Sequence, residues 1–162
     1  MFLKEFEIRW SDIDANGHLA NSAYTNLMSH ARMSYLMHLG FDHKLMVQNK
    51  IGPVVFYEHM YYFKEIFLGK PIKVSVELMG LSKYGGFFEF HHNFYDSNGK
   101  NSAHCEMMGA WINLETRKLT VLTDELLLKF DQEEKPGGFH VLTKEDTRKF
   151  AKNPKDLMPP SL

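Results

Sequence analysis

The hydrophobic pattern of this chain contains one long helical stretch followed by a run of strands. Apolar residues recur at helical spacing over residues 22–39, about five turns, and Gly40 follows at the position of a helix C-cap. Residues 54–114 instead show the alternation and the aromatic and β-branched content of strands. This order predicts an α+β fold in which one helix packs on one face of an antiparallel sheet. The helical stripe consists of Tyr24, Leu27, Met28, Ala31, Tyr35, Leu36 and Leu39.

Five strands are predicted, one before the helix and four after it, in the order β-α-β-β-β-β. Asn98-Gly99 lies between two apolar-patterned runs, which is a strong hairpin signal. A shorter helix is expected at residues 123–130. The strands are predicted at residues 2–10, 54–67, 72–78, 87–95 and 102–114, with turns at 68–71, 83–86 and 96–99.

Length and composition indicate one globular domain. The chain has 162 residues, of which 44% are apolar and 14% aromatic, enough to bury a core of its own. We expect this domain to span residues 1–130. Residues 131–162 are charged and contain Pro136-Gly137-Gly138 and Pro159-Pro160, so we expect a peripheral C-terminal extension.

Charge and cysteine content narrow the class of partner and the compartment. The formal net charge of −1 provides no overall field that would attract nucleic acid or an anionic membrane. No apolar run approaches 18 residues, and Met1–Glu5 lacks the pattern of a signal peptide. The single cysteine, Cys105, cannot form an internal disulfide and is expected to be a small buried residue. We therefore expect a cytoplasmic protein without a nucleic-acid or membrane partner.

The segment 11–21 concentrates the polar chemistry of the chain immediately before the long helix. It carries Asp12, Asp14, His18 and Asn21, and either Asn21 or Ser22 is expected to cap the helix. The first N–H groups of a helix have no internal acceptors and carry partial positive charge. A substrate oxygen that becomes negative would be stabilised there, next to a carboxylate that attacks or deprotonates water.

Three alternatives explain the same residues differently. A calcium loop beginning at Asp12 would need Glu at its twelfth position, where the chain has Ala23. A transition-metal site at Asp12, Asp14 and His18 has no further ligand at motif spacing, so we expect neither metal nor cofactor. A loop whose Asp and Asn side chains satisfy backbone donors needs no chemistry at all. The residues alone leave this last alternative open.

The run S-D-x-D-x-x-G-H-x-x-N-x-x-Y, with Ala31-Arg32 following, resembles the signature of hotdog thioesterases of the 4-hydroxybenzoyl-CoA thioesterase type. The strand order is also similar over residues 5 to 130. The resemblance implies a long central helix wrapped by a curved five-stranded sheet. It also implies hydrolysis of an acyl thioester to a carboxylic acid and CoA or a carrier thiol. Asp14 would be nucleophile or general base, helix N–H groups around Asn21 would polarise the carbonyl, and Asp12 would be supporting.

The chain departs from this family pattern at one position. Many relatives carry Asn where this chain has Ala20, which motivates the alternative of a non-catalytic acyl-thioester-binding hotdog protein. A second hotdog type carries its catalytic Glu on the central helix, but residues 22–41 contain no Asp or Glu. An enoyl-thioester hydratase motif, D-x-N-P-x-H, is matched only partly because Pro is missing and His18 comes one residue early. Asp14 is therefore the best catalytic candidate.

An acyl thioester has an apolar tail and a phosphate-bearing arm, and candidate residues exist for both. Core packing is the alternative for each apolar candidate. The resemblance implies that the pantetheine arm runs near residues 82–86 at a subunit interface of a homodimer or dimer of dimers. His59, His91, His92 and His104 are expected to be surface or core histidines. The substrate-binding candidates are His18, Ser22, Tyr24, Met28, Met60, Tyr62, Phe63, Lys64, Ser82, Lys83, Tyr84 and Gly85.

Overall fold

The computed structural model describes residues 1–157. Residues 158–162, and with them the Pro159-Pro160 pair of the expected extension, lie outside the described part. Two short 3₁₀ turns, Trp10–Asp12 and Asp146–Arg148, accompany the regular elements. The helices are α1 (Asn21–His38), α2 (His43–Gln48) and α3 (Asp124–Asp131), and the strands are β1 (Phe2–Phe6), β2 (Ile51–Tyr62), β3 (Ile72–Ser82), β4 (Phe87–Tyr95), β5 (Asn101–Asn113), β6 (Leu119–Thr120) and β7 (His140–Leu142).

The sheet has the strand order β1-β3-β4-β5-β2, with antiparallel neighbours, and it packs against α1. This arrangement confirms the predicted α+β hotdog fold. Two short strands extend the predicted five: β6 pairs with β5, and β7 runs parallel to β3. Strand β7 lies in the segment expected to be peripheral, and its Leu142 is buried, so this segment contributes to the sheet.

The core lies between α1 and the sheet. Alternate residues of the strands point into it. Ile72, Val74, Val76 and Leu78 are all buried, as their two-residue spacing predicts. The Asn-Gly hairpin is also confirmed, since β4 and β5 pair on either side of it. Aromatic contacts join helix to sheet; one example is the Tyr35 and Phe90 rings, whose centroids lie 5.6 Å apart.

Three predicted strand ends are wrong. The third strand was expected to end at residue 78, but β3 continues to Ser82. The first strand was expected to reach residue 10, but β1 ends at Phe6 and Trp10 is exposed. The Asp12 carboxylate accepts the Arg9 backbone N–H at 2.9 Å and bends the chain into a 3₁₀ turn. Strand β2 was expected to reach residue 67 but ends at Tyr62. It ends there because the carbonyl of Ser102 accepts both of the next two amides, from Phe63 and Lys64, so the ladder cannot continue.

The start of β2 was also predicted too late, and helix α2 before it was not predicted. Asp42 caps α2 by accepting the N–H of Leu45 at 2.7 Å. Strand β2 begins at Ile51 and includes Pro53. Proline donates no backbone hydrogen bond and is tolerated at a sheet edge. The presence of Pro53 in β2 agrees with the position of this strand at one end of the strand order.

A buried polar cluster connects α1 to the sheet through Arg32, Glu58 and His92. Arg32 of α1 places Nη1 2.8 Å from Glu58 Oε1; the two are in charge contact, although the angle is not that of a hydrogen bond. The same Nη1 lies 3.4 Å from Nε2 of His92, and Nδ1 of His92 lies 2.8 Å from the carbonyl of Ser75. Nδ1 therefore carries the hydrogen and Nε2 accepts, the pattern of a neutral imidazole. Burial, reinforced by Arg32, lowers the pKa of His92 to about 3.

Candidate functional site

Asp12 is fully engaged by Arg9. Its Oδ2 accepts from Nε of Arg9 at 3.1 Å, and its Oδ1 accepts from Nη2 at 3.0 Å. These hydrogen bonds lower the pKa of Asp12. The carbonyl of Asp12 also accepts the N–H of Ala20 at 2.8 Å, which closes the loop before α1. The first carboxylate of the motif therefore shapes the loop.

The two carboxylate oxygens of Asp14 have different contacts: Oδ1 accepts amides of a turn, and Oδ2 lies beside the His18 ring. Oδ1 accepts the N–H of Asn16 at 2.8 Å and that of His18 at 3.4 Å. Gly17, at φ +81°, supplies the left-handed conformation that the turn requires. Oδ2 lies 3.4 Å from Nδ1 of His18, and the Asp14 side chain is 30% exposed. One oxygen thus stays available beside the solvent-accessible cavity described below.

His18 lies between two carboxylates. Its Nδ1 faces Asp14, and its Nε2 lies 3.7 Å from Oε1 of Glu65. Glu65 belongs to the segment after β2, which the hydrogen bond from Leu19 N to Ile66 O, 2.7 Å long, holds against the loop. Glu65 was not predicted as a site residue because no local motif marks it; it reaches His18 only because β2 ends at Tyr62.

Among the described residues, the start of α1 has an unpaired amide at Asn21, a residue that lines the cavity described below. The N-cap is Ala20, whose carbonyl accepts from Ala23 at 2.9 Å, so the expectation that Asn21 or Ser22 caps the helix is wrong. Oδ1 of Asn21 instead accepts the neighbouring N–H of Ser22 at 3.1 Å. Among residues 1–157, the backbone N–H of Asn21 has no hydrogen-bond partner. It is one of the orphan donors that a helix start presents.

These groups border a cavity of about 350 Å³. Its aromatic side is built by Tyr24 and Tyr62, whose rings meet edge to face at 5.1 Å. Burial raises the pKa of the Tyr24 hydroxyl to about 12, so this group stays protonated near neutral pH. The cavity is lined by Asp14, His18, Leu19, Asn21, Tyr24, Tyr62, Phe63, Lys64 and Glu65.

The other substrate-binding candidates lie elsewhere. Met28 is buried in the core, Met60 packs against it, and Ser22 is exposed at the helix start, so none of the three lines the Asp14 cavity. Ser82, Lys83 and Tyr84 line a separate cavity of about 330 Å³. Gly85 forms the adjoining turn at φ +66°. The structure thus places the candidates at two sites and in the core, with Ser22 exposed outside all three.

Within residues 1–157, no three His, Cys, Asp or Glu side chains are grouped closely enough to hold a metal ion. No helix in that same range combines the length and apolar character needed to cross a membrane.

Comparison with known proteins identifies the family. The model of the thioesterase-like superfamily matches residues 8–130 of this chain, more than half of its length. The chain belongs to the thioesterase-like superfamily. Its match includes the loop that carries Asp14, the whole of α1, and strands β2 to β5. No curated protein matches this thioesterase-like chain.

Solved structures resemble this superfamily member in fold. Protein SAV2348 of Staphylococcus aureus, solved in complex with CoA, has a TM-score of 0.77 at 18% identity, covering 94% of this chain and 95% of its own. DHNA-CoA thioesterase of Staphylococcus aureus has a TM-score of 0.73 at 20% identity, covering 80% and 88%. YbaW, a probable thioesterase of Escherichia coli, has a TM-score of 0.71 at 22% identity, covering 82% and 98%. These similarities show the hotdog fold.

Proposed function

We propose that this chain hydrolyses acyl thioesters of CoA or of an acyl carrier, with Asp14 as the catalytic carboxylate. One observation gives the proposal its main support. The Asp14 carboxylate and Asn21, whose N–H is unpartnered within residues 1–157, border one cavity at the start of α1. Membership of the thioesterase-like superfamily supports the same reaction class.

The thioester carbonyl would point its oxygen at the N–H of Asn21. The partial positive charge of a helix start stabilises the negative oxygen of the tetrahedral intermediate. Asp14 Oδ2 then acts by one of two routes. Attack on the carbonyl carbon breaks the carbon–sulfur bond, releases the thiolate and leaves a mixed anhydride that water hydrolyses. Alternatively, Asp14 takes a proton from water as the water attacks, and the proton leaves with the thiol.

His18 would position the Asp14 carboxylate. Its Nδ1, 3.4 Å from Asp14 Oδ2, restricts the rotation of that side chain. Glu65 holds the opposite nitrogen of the ring at 3.7 Å. The acyl group would lie against Tyr24, Tyr62 and Phe63, an aromatic wall that favours apolar substituents.

We also propose that the chain acts as a homodimer through the free edge of β2. This strand ends the strand order of the sheet and leaves its outer edge unpaired within residues 1–157. A long apolar edge favours pairing with another chain. Its exposed large apolar residues are Val55, Phe56, Tyr61 and Tyr62, and the exposed Phe63 follows the strand.

Thiol release from a panel of acyl-CoAs tests the activity. The panel rises in chain length and includes one aromatic acyl group, with the same acyl groups on pantetheine as carrier-arm mimics. We expect turnover that depends on the acyl group. Tight binding without turnover on every substrate would favour the non-catalytic acyl-thioester binder.

A further inference from the structure

The Tyr24 side chain is almost completely buried, yet its hydroxyl has no partner within residues 1–157. Tyr24 is 4% exposed, and its ring packs against those of Tyr62 and Phe94, at centroid distances of 5.1 and 4.9 Å. These contacts need only an aromatic ring, which phenylalanine would supply equally well. Burying a hydroxyl without a partner costs free energy. The presence of a tyrosine here is therefore explained by a hydrogen-bond partner that enters the cavity with a ligand.

The two carboxylates of the cavity have other partners. Asp14 accepts the turn amides with Oδ1 and faces His18 with Oδ2, and Glu65 faces the other nitrogen of the His18 ring. A carboxylate beside the Tyr24 hydroxyl would help to raise its pKa, but the causes of the rise to about 12 are burial and, less strongly, Tyr62. The Tyr24 hydroxyl is therefore a neutral donor that is available to a ligand.

Helix geometry directs the Tyr24 side chain toward the start of α1. Tyr24 follows Asn21 by three residues, so the two lie on the same face of the helix, about one turn apart. The Cα–Cβ bond of a helical residue tilts toward the helix N-terminus, and a long side chain covers the turn before its own Cα. Both residues line the cavity that Asp14 borders. The amide of Asn21 and the hydroxyl of Tyr24 are thus two donors at one end of α1.

Tyr24 is held more firmly than the other side-chain donors that line the cavity. Lys64 and Tyr62 are both exposed, so their donors move with the solvent. His18 is engaged by the carboxylates on its two sides. Tyr24, in contrast, is fixed between two rings on a helix. A donor that is already in place stabilises developing charge better than a mobile one, because nothing has to reorganise during the reaction.

We propose that the Tyr24 hydroxyl donates a second hydrogen bond to the thioester carbonyl oxygen, beside the bond from the N–H of Asn21. The inference rests on the proposed thioesterase function and deepens it by assigning a further catalytic residue. When Asp14 or water attacks, the carbonyl carbon becomes tetrahedral and its oxygen gains negative charge, so the bond from Tyr24 strengthens. The double bond to oxygen forms again as the carbon–sulfur bond breaks, and the proton stays on Tyr24 throughout.

Protonation of the leaving sulfur is the alternative role for the same hydroxyl. A thiol has a pKa of about 8.5, whereas the pKa of Tyr24 is about 12. A thiolate is therefore too weak a base to take the proton of this phenol, and it leaves without that help. A carbonyl oxygen that becomes an alkoxide gains much more from a neutral donor. The chemistry of the phenol thus favours the carbonyl oxygen over the sulfur.

The first test is turnover of Tyr24→Phe on the full chain, which keeps the ring and removes the hydroxyl. We expect kcat for acyl-CoA to fall about 10- to 100-fold with KM nearly unchanged, and by the same factor from about pH 6 to about pH 9, because Tyr24 does not titrate in that range. Tyr35→Phe removes another buried hydroxyl from α1, away from the cavity, and should keep the wild-type kcat. A wild-type kcat in Tyr24→Phe, or a change in KM alone, would overturn the inference.

The second test needs no turnover and separates this inference from the proposed function. The probe is a ketone analogue of acyl-CoA, with a methylene in place of sulfur and an isotope-labelled carbonyl, observed by infrared spectroscopy when bound. A hydrogen bond to the oxygen weakens the C=O bond, so we expect a lower stretching frequency in the wild type and Tyr35→Phe than in Tyr24→Phe. Equal frequencies in all three proteins, or no binding by the wild type, would overturn the inference. A Tyr24-dependent frequency in a protein without turnover would overturn the thioesterase proposal and leave Tyr24 as the carbonyl donor.

Discussion

Asp14 and Asp96 build the same turn at two places in the chain. Oδ1 of Asp14 accepts the N–H of Asn16 at 2.8 Å, and Oδ1 of Asp96 accepts that of Asn98 at 2.8 Å. In each turn a glycine amide donates to the aspartate carbonyl, at 3.0 Å for the first and 2.9 Å for the second. The turn thus accounts for the hydrogen bond that Oδ1 of Asp14 accepts from Asn16. The contact of its other oxygen with His18, beside the start of α1, is specific to the candidate site.

Cys105 is predicted to be unreactive in the folded protein. Its side chain is fully buried, and burial raises the pKa of the thiol to about 12, so almost no nucleophilic thiolate exists at neutral pH. A disulfide reagent that reports thiols by absorbance should give no signal with the native chain and one thiol per chain in denaturant. Rapid labelling of the native chain would contradict this burial. The same result provides a clean background for thiol-release assays.

The stability of the fold is predicted to decrease on acidification because of His92. Folding holds this imidazole neutral with a pKa of about 3, compared with an ordinary value of 6.5. Below about pH 6.5 the unfolded chain therefore binds a proton that the folded chain does not, and stability falls as the pH decreases toward 3. Between pH 7 and 5 the loss from this residue should be about 2 kcal/mol.

Denaturant unfolding at several pH values measures this effect. His92→Gln keeps a donor for the Ser75 carbonyl and removes the titration, so its stability should fall less between pH 7 and 5 than that of the wild type, by about 2 kcal/mol. His43→Gln replaces an exposed histidine and serves as the control, with a wild-type profile. Parallel profiles for all three proteins would contradict the role of His92.

Gly109 is predicted to be intolerant of any side chain. A Cβ at this position of β5 would lie 2.5 Å from Cε2 of Phe88 and 2.7 Å from the carbonyl oxygen of Val54. Gly109→Ala should lower the free energy of unfolding by about 1–3 kcal/mol through overpacking. Gly137→Ala has open space around its Cβ and should unfold at the wild-type denaturant concentration. Equal denaturant midpoints of unfolding for Gly109→Ala and Gly137→Ala would contradict the close packing of β5.

The elements that were predictable from sequence are those with local signals. The alternation of Ile72, Val74 and Val76 indicated both β3 and its buried face. The Asn98-Gly99 pair marked the β4–β5 hairpin. Helix α1 was predicted to within one residue at each end because its apolar stripe spans its whole length.

Features that depend on contacts between distant residues were not predictable in this way. The end of β2 depends on the Ser102 carbonyl accepting two amides, and β7 on pairing with β3. Glu65 reaches His18 only because the chain leaves the sheet after Tyr62. The motif was sufficient to nominate Asp14 and His18, but Glu65, the second carboxylate beside His18, could be identified only in the folded chain.

The most direct test of the account is turnover of Asp14→Asn beside Asp96→Asn. Each variant retains Oδ1 to accept its turn amide, so both should fold and melt like the wild type. Thiol release from the best acyl-CoA of the panel should fall at least about 100-fold in Asp14→Asn, because an amide neither attacks the thioester nor takes a proton from water. Asp96→Asn should retain wild-type turnover. Unchanged turnover in Asp14→Asn would show that the carboxylate only builds a turn and would contradict its catalytic role.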